Sequence, residues 1–523
     1  MSLTPRASRG LVLLSLVSLF AAGCGKNSPT SSTTAPAASR SDAEVSPDAL
    51  LDSAVQLLQG KARNPQAHEL AAQRLNQYVA RTTAIGKTVV EPLSEQARGR
   101  LEAGLPAVLI PHVESIQFDR PDADHLDTCF LNRDIVTHVT ANINDPLAKV
   151  EAIFEWVVRN VQVLPPEELP PTPLMPGITL LVGVGSELER AWVFLELLRQ
   201  VGIEGAMIAH AQTDPQSKET SYQPWSPAAL VNDALYIFDT TLGLPLPGPD
   251  GKGVATLRQV LDDAELLHGL DLDAEHPYRI RPEHLEHLVL LLESTPLYWA
   301  PRMKFLQEHL SGRNRLSLWS DLVALEDHLQ KATAKSLPVA LWSVPVQVYE
   351  NRLGNPEFGN LIQGMLMHYL AHGQQLEARL AQLRGNYAEA IAVYMQNRLM
   401  QVPPQAQQNQ QAMAIFGRIR QDSTYFLGLI KMEQQEYDPA INWLGKSYLE
   451  RYPTFPQGLW APGARYNLAR CNERQNDAAK AIENYTAEVP EPQRTGNLIR
   501  ARRLGWTGEA KPDPPPAPAD STK

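Results

Sequence analysis

Apolar residues recur with the spacing of an α-helix over most of the chain, which predicts a protein rich in helices. The first such pattern is SPDALLDSAVQLLQG, where Leu50, Val55 and Leu58 share a face and Ser46 stands at the N-cap position. Further helices are predicted near His68–Arg81 and Glu95–Leu101. Residues 47–115 are therefore expected to form a helical segment.

The pattern changes after residue 115, and residues 116–262 mix helical and strand signals. NDPLAKVEAIFEWVVRNV predicts a helix, because Asp145 can cap it and Pro146 suits its first position. AMIAHA predicts a buried strand, and AALV and ALYIFD predict a hairpin around Asn232 and Asp233.

A glycine-rich turn leads into another amphipathic helix in GVGSELERAWVFLELLRQVGIEG, residues 183–205. Ser186 stands at its N-cap, and Glu189 follows three residues later, which is the pattern of a capping box. Glu187 then lies in the first turn, where an acidic side chain suits the helix dipole.

Residues 263–370 return to a helical pattern, with runs such as EHLEHLVLLLE and SLWSDLVALEDHLQKA. Residues 371–503 contain three similar segments, GNYAEAIAVY, QEYDPAINWL and NDAAKAIENY, each preceded by an apolar helix. Small residues in these segments allow two helices to cross closely.

These segments resemble the tetratricopeptide repeat, although their spacing is irregular and longer than the usual repeat of about 34 residues. The matching positions in the last two copies are Leu427, Gly428, Ala440, Leu444, Leu468, Ala469, Ala481 and Tyr485. The resemblance implies stacked helical pairs that bind a protein partner through residues 371–503. The residues from 504 to 523 read as a disordered tail.

The N-terminus carries Arg6 and Arg9, then the short apolar run LVLLSLVSLF, then AAGC ending at Cys24. This order is typical of a signal peptide, and the run is shorter than the roughly 20 residues of a membrane span. The AAGC ending resembles the lipobox of bacterial lipoproteins, with Ala21 where that family more often has leucine. The resemblance implies removal of residues 1–23, lipid on Cys24 and a place on the periplasmic or outer side of an envelope membrane. An ordinary cleaved signal peptide is the alternative.

Residues 24–46 are rich in Ser, Thr, Ala and Pro and predict a disordered tether. The net charge of −11 argues against nucleic acid as the main partner. Only Cys129 and Cys471 follow Cys24, so no disulfide framework is expected. His284 and His287 lack a third ligand at zinc-site spacing, and neither a metal nor a cofactor is predicted.

Three segments within 116–262 together resemble the transglutaminase-like superfamily, a papain-type cysteine fold. They are the helix NDPLAKVEAIFEWVVRNV, the stretch RAWVFLELLRQVGIEG and the strand YIFDTTLG. The resemblance implies a cysteine at a helix start, a histidine on a facing strand and an acid on the next. The family's spacing places these at Glu187, Pro224 and Asp239, and only Asp239 has the expected residue type.

A fallback pair is Ser186 with His210, while the alternative role of Asp239 is to close a strand end. We therefore expect a multidomain α+β protein, with a transglutaminase-type domain at 116–262, a helical domain at 263–370 and helical repeats at 371–503. Its expected function is that of a noncatalytic, membrane-anchored binding or scaffold protein. The alternatives are an acyl-transfer enzyme with an unrecognised nucleophile and a purely structural envelope component.

Overall fold

The computed structural model of the chain describes residues 46–59, 65–84, 86, 90–213, 216–218, 220–333, 337–404 and 407–508. The predicted leader, Cys24, the tether up to residue 45 and the tail from residue 509 lie outside the described residues. The described residues from 46 to 508 form one compact α+β unit. Among the described helices, none combines the length and the apolar character needed to cross a bilayer.

The N-terminal helices form as their caps predict. Ser46 accepts a hydrogen bond from the backbone N–H of Ala49, and Ser94 accepts one from Ala97 in the same way. The first two helices pack on each other, and the second also packs on α5. The helices are α1 (Pro47–Leu58), α2 (Pro65–Ala84), α3 (Glu95–Gly104), α4 (Ile110–Glu114) and α5 (Arg120–Val139).

The next segment carries the predicted helix capped by Asp145, whose carboxylate accepts from the N–H of Ala148 at 2.7 Å. The helix after the glycine-rich turn packs against both this helix and the sheet. The elements are α6 (Pro146–Asn160), β1 (Gln162–Val163), α7 (Pro176–Val182), β2 (Val184–Gly185), α8 (Glu187–Gln200), β3 (Gly205–Thr213), β4 (Thr220–Val231), β5 (Ala234–Asp239), β6 (Leu244–Pro245) and α9 (Leu257–Asp262).

The predicted hairpin is confirmed, because β4 and β5 pair antiparallel with Val231 opposite Ala234. Asn232 and Asp233 connect them with φ of 49° and 59°, and Asn and Asp tolerate such positive angles better than most residues do. The hairpin belongs to a six-stranded mixed sheet with the order β6-β5-β4-β3-β7-β8.

The prediction of a helix over EHLEHLVLLLE is wrong. Pro282–His287 forms a short 3-10 helix, and Leu288–Leu292 forms strand β7, which pairs with β3. A run of five buried apolar residues has no polar face, so its periodicity does not separate a core strand from a core helix. The sheet therefore continues beyond residue 262. The later elements are β7, α10 (Pro301–His309), α11 (Leu322–Lys331), β8 (Val339–Leu341), α12 (Ser343–Gly354), α13 (Pro356–Met365) and α14 (Met367–Ala371).

The three repeated segments each form the second helix of a helical pair. Gly428 lets the middle pair cross closely, since a Cβ built on it would lie 2.6 Å from Cδ2 of Leu444. Ala390, Ala440 and Ala481 are each fully buried at the corresponding crossings. The helices are α15 (Gly373–Leu383), α16 (Tyr387–Asn397), α17 (Gln410–Glu433), α18 (Tyr437–Ile441, continued by a π-helix over Asn442–Leu449), α19 (Ala461–Arg474), α20 (Ala478–Tyr485) and α21 (Gln493–Arg503).

The repeat helices pack directly on the α7–α8 joint. Arg379 of α15 is fully buried and donates to the carbonyls of Leu180 and Leu181, at 2.8 and 3.2 Å. These carbonyls belong to the last turn of α7, which has no intrahelical donors for them. Gly183, with φ of 71°, ends that helix against Trp460, and a Cβ built on it would lie 2.8 Å from Cη2 of the indole.

The last helix covers the turn after β5. A Cβ built on Gly496 of α21 would lie 2.0 Å from the carbonyl oxygen of Leu242, so only glycine fits at this crossing. Arg500 donates to the carbonyl of Gly243 at 3.1 Å. The C-terminal end of the described chain thus completes the packing around β5.

Gly183→Ala should destabilise the protein more than Gly202→Ala. Both glycines have φ near 70°, so both substitutions bring the backbone strain of about 1–2 kcal/mol of a left-handed residue. Gly202 has open space around its Cβ position, whereas Gly183 meets Trp460, and overpacking costs a further ~1–3 kcal/mol. Reversible chemical denaturation of the two variants measures the difference in the free energy of unfolding. Equal losses would show that the contact with Trp460 tolerates a methyl group.

Candidate functional site

The start of α8 is closed by the predicted capping box. The hydroxyl of Ser186 accepts from the N–H of Glu189 at 3.2 Å, and Oε2 of Glu189 accepts from the N–H of Ser186 at 2.6 Å. Oε1 of Glu189 accepts from the N–H of Leu174 at 2.5 Å. Burial raises the pKa of Glu189, and these hydrogen bonds oppose that rise. The side chains of Ser186 and Glu189 are therefore both engaged in capping α8.

Glu187, at the position expected for the nucleophile, is half-buried in the first turn of α8. Its carbonyl accepts from the hydroxyl of Thr240 at 3.5 Å. Its charge also acts on Arg279: burial lowers the pKa of that guanidinium, but Asp239 and Tyr278, with a smaller contribution from Glu187, raise it overall. Glu187 thus contributes negative charge beside a cation.

Asp239 lies at the end of β5, fully buried, with both carboxylate oxygens engaged. Oδ1 accepts from the N–H of Leu242 at 2.8 Å, which closes the turn after the strand. Oδ2 accepts from the hydroxyl of Tyr278 at 2.5 Å and from the guanidinium of Arg279 at 3.4 Å. Asp239 therefore closes the end of β5, and a tyrosine and an arginine occupy its second carboxylate oxygen.

Pro224 and its neighbour explain how that tyrosine is held. Pro224 pairs with Ala209 of β3, while Ser226 pairs with Ile208, so Trp225 is the extra residue of a β-bulge. The buried indole donates to the hydroxyl of Tyr278 at 2.7 Å. Proline offers no group that can take a proton, so no base stands at this position.

Ser186 and His210 have separate partners. The ring of His210 lies against that of His284, with centroids 4.6 Å apart, and burial lowers the pKa of His210, helped by the nearby His284 and Arg279. Among the described residues, no hydrogen bond joins Ser186 to His210. The fallback pair therefore receives no support from a direct contact.

Cys129 and Cys471 are both buried and free. Burial raises the pKa of Cys471 to about 12 and that of Cys129 still further, which opposes the thiolate that nucleophilic chemistry needs. Within the described ranges, no group of three or more His, Cys, Asp or Glu residues is arranged to hold a metal ion.

A second feature, which the sequence did not predict, is a cavity of about 270 Å³ between α2, α5, α7, α8 and α12. Asp124, Asp127 and Thr128 of α5 reach it from one helix face. The spacing of these three residues is visible in the sequence, but their partners His68 and Arg352 come from distant helices. The charged and titratable residues that line it are His68, Arg120, Asp124, His125, Asp127, Glu196, Tyr349 and Arg352.

Glu196 brings an uncharged carboxyl group to this cavity from the middle of α8. Burial raises its pKa to about 8, and the nearby negative charge of Glu293 raises it as well. Its Oε2 accepts hydrogen bonds from the hydroxyl of Tyr298 and, at 3.4 Å, from Asn132. Glu293 instead pairs with Arg199 at 2.7 Å. At neutral pH, Glu196 therefore serves as a polar, protonated group beside the Glu293–Arg199 ion pair.

No family model, no curated protein and no solved structure matches this chain. The assignment of function therefore rests on the contacts described above.

Tyr278→Phe should lower the free energy of unfolding by about 1–3 kcal/mol, because it leaves the indole N–H of Trp225 and one oxygen of Asp239 buried without their shared partner. Tyr236→Phe is the matched control. Tyr236 is half-buried on the same strand as Asp239, and its hydroxyl has no hydrogen bond within the described residues. A loss in Tyr278→Phe no larger than in this control, measured by denaturant unfolding, would contradict the structural role of the Trp225–Tyr278–Asp239 chain.

Glu196→Gln should remove a pH dependence of stability. The pKa of Glu196 is about 8 in the folded chain, against an ordinary value of 4.5, so the folded state holds a proton that the unfolded state releases in this range. Wild-type stability therefore falls as the pH rises from 4.5 to 8, whereas glutamine does not titrate. The variant should gain on the wild type by on the order of 1 kcal/mol or more at pH 8. Unfolding curves at several pH values measure this gain. Glu265→Gln, at an exposed residue, should show no such gain, and a pH-independent difference for Glu196→Gln would refute the assignment.

Proposed function

We propose that this chain is a noncatalytic scaffold of the bacterial envelope, anchored by lipid on Cys24, which binds a protein partner through the exposed face of its repeat helices. The observation that carries the noncatalytic part is the environment of Asp239. Its carboxylate is held by Leu242, Tyr278 and Arg279, so the acid orients no base.

The residues at the start of α8 and at Pro224 also lack what acyl transfer requires. A hydroxyl or thiol nucleophile needs a neighbouring base or a lowered pKa. The hydroxyl of Ser186 accepts a backbone hydrogen bond instead, and Pro224 offers no base. The enzyme alternative has no supporting contact in the described chain.

The side of the repeats that faces α7 and β1 is already occupied by this chain. Gln162 of β1 accepts from the N–H of Gly463 and donates to the carbonyl of Leu459, both at 2.8 Å. Together with Arg379 and Trp460, these contacts fill that side. An external partner therefore has to use another face of the repeat helices.

Such a face exists around α17, and we call it the α14–α17 surface: Leu370 of α14, Met395 of α16, Leu399 just after α16, and Met413 of α17. These residues are exposed by 58, 38, 66 and 40%. Both α14 and α16 pack on α17, so the residues belong to neighbouring elements. A contiguous exposed apolar patch is typical of a protein-binding surface, and we take these four residues as parts of one such patch.

Site-specific photo-crosslinking tests this proposal in the full-length chain in its own envelope. A photoreactive amino acid at position 399 or 413 should give one discrete adduct with the same partner. The control is position 108, where Val108 is 72% exposed on the turn before α4. Leu399→Glu in the chain that carries the probe at 413 should reduce the adduct several-fold, because a carboxylate does not enter an apolar interface without a large desolvation cost.

The opposite results would overturn the proposal. They are a matching adduct from position 108, no adduct from 399 and 413, or an adduct that Leu399→Glu leaves unchanged. Transfer of an acyl group to an amine by the purified wild type, abolished by Ser186→Ala, would support the enzyme alternative instead.

A further inference from the structure

The cavity between α2, α5, α7, α8 and α12 is a second, independent site. Its volume of about 270 Å³ corresponds to the share of roughly nine water molecules in the liquid, about 30 Å³ each. This lies just below the ~300–1,000 Å³ usual for ligand pockets, so it suits a small organic molecule.

The acidic residues of the cavity are already paired within the protein. Asp124 takes a hydrogen bond from Nδ1 of His68 through one oxygen and an ion pair from Arg352 through the other. Nε2 of the same imidazole lies 3.6 Å from Asp127. These pairs hold the pKa of Asp124 below its ordinary value, although burial acts to raise it. Neither carboxylate therefore stands as an open receptor for a cation.

The arrangement of charge around the cavity leaves one guanidinium available to an incoming anion. Two guanidinium groups, those of Arg120 and Arg352, match the two carboxylates, and the third carboxyl group, that of Glu196, is protonated at neutral pH. Arg120 is exposed at the start of α5, and the described residues supply it with no hydrogen bond or ion pair. Its guanidinium can thus offer paired N–H donors to a carboxylate.

The rest of the lining is mostly apolar. Pro176 and Ile178 come from α7 and Met175 from the position before it, Trp192 comes from α8, and Val348 from α12. Arg352 also reaches across to the sulfur of Met175 at 3.6 Å, which ties α12 to α7 at the cavity. A ligand that matches both Arg120 and the apolar lining has one anionic group and an apolar body.

We propose that this cavity binds a small organic monocarboxylate, whose carboxylate pairs with Arg120 and whose apolar body lies against Trp192 and Ile178. This site is separate from the α14–α17 surface and from the start of α8, where Glu187 stands at the position expected for a nucleophile. Its occupancy does not depend on the scaffold function.

Calorimetric titration of the whole chain with three probes of equal length tests the proposal: hexanoate, hexylamine and hexan-1-ol. Hexanoate should bind at least about tenfold more tightly than the amine or the alcohol. Arg120→Gln should weaken hexanoate binding about tenfold or more, which corresponds to ~1.4 kcal/mol. Because Arg120 is exposed, makes no hydrogen bond or ion pair within the described chain and acts on Asp124 only through its charge, the substitution should leave the fold intact.

The matched control is Arg100→Gln, which removes an exposed arginine that pairs with Glu326 and does not line the cavity. It should bind hexanoate like the wild type. Ile178→Trp, which fills the apolar part with a larger side chain, should also abolish binding. The proposal fails if Arg120→Gln binds hexanoate like the wild type, if the amine or alcohol binds as tightly, or if hexanoate gives no binding at millimolar concentration.

Discussion

Fully buried arginines hold distant parts of this chain together, and the positions of α8 and of the cavity helix α5 depend on them. Arg190 of α8 donates to the carbonyls of Val161 and Thr240, at 2.8 and 2.9 Å, and contacts the amide of Gln493 at 3.5 Å. Burial lowers its pKa to about 10, so it remains charged at neutral pH. An unsatisfied buried charge would cost several kcal/mol, so these segments must meet in this arrangement for the guanidinium to be solvated by the protein.

Arg302 likewise joins segments that are distant in the sequence. It pairs with Asp122 of α5 and donates to the carbonyls of His112, Val113 and Ser115. The N-terminal helices are thereby fixed to α5, and α5 carries Asp124 and Asp127 into the cavity. The buried Arg302–Asp122 ion pair thus fixes the helix that carries the carboxylates of the cavity.

The features that were predictable from the sequence are local ones. Ser186 with Glu189, Asp145 with Pro146, and the Asn232–Asp233 turn each depend on residues within four positions of one another, and all form as expected. Tyr278 was not predictable as the partner of Asp239, because 39 residues separate them and the contact needs the bulge at Trp225. The cavity is less predictable still, since Arg352 reaches Asp124 across 228 residues. The strand at Leu288–Leu292 was missed because its apolar run shows no alternation.

The close packing of α21 on the turn after β5 also has a consequence for the order in which the molecule is assembled. Gly496 and Gln493 lie near the end of the chain, yet they cover Leu242 and satisfy Arg190 in its middle. A ribosome makes the chain from the N-terminus, so α21 is synthesised long after the turn that it covers. The sheet and α8 therefore cannot make these final polar contacts until α21 has been synthesised. A nascent chain halted in the repeats would expose an unfinished interior.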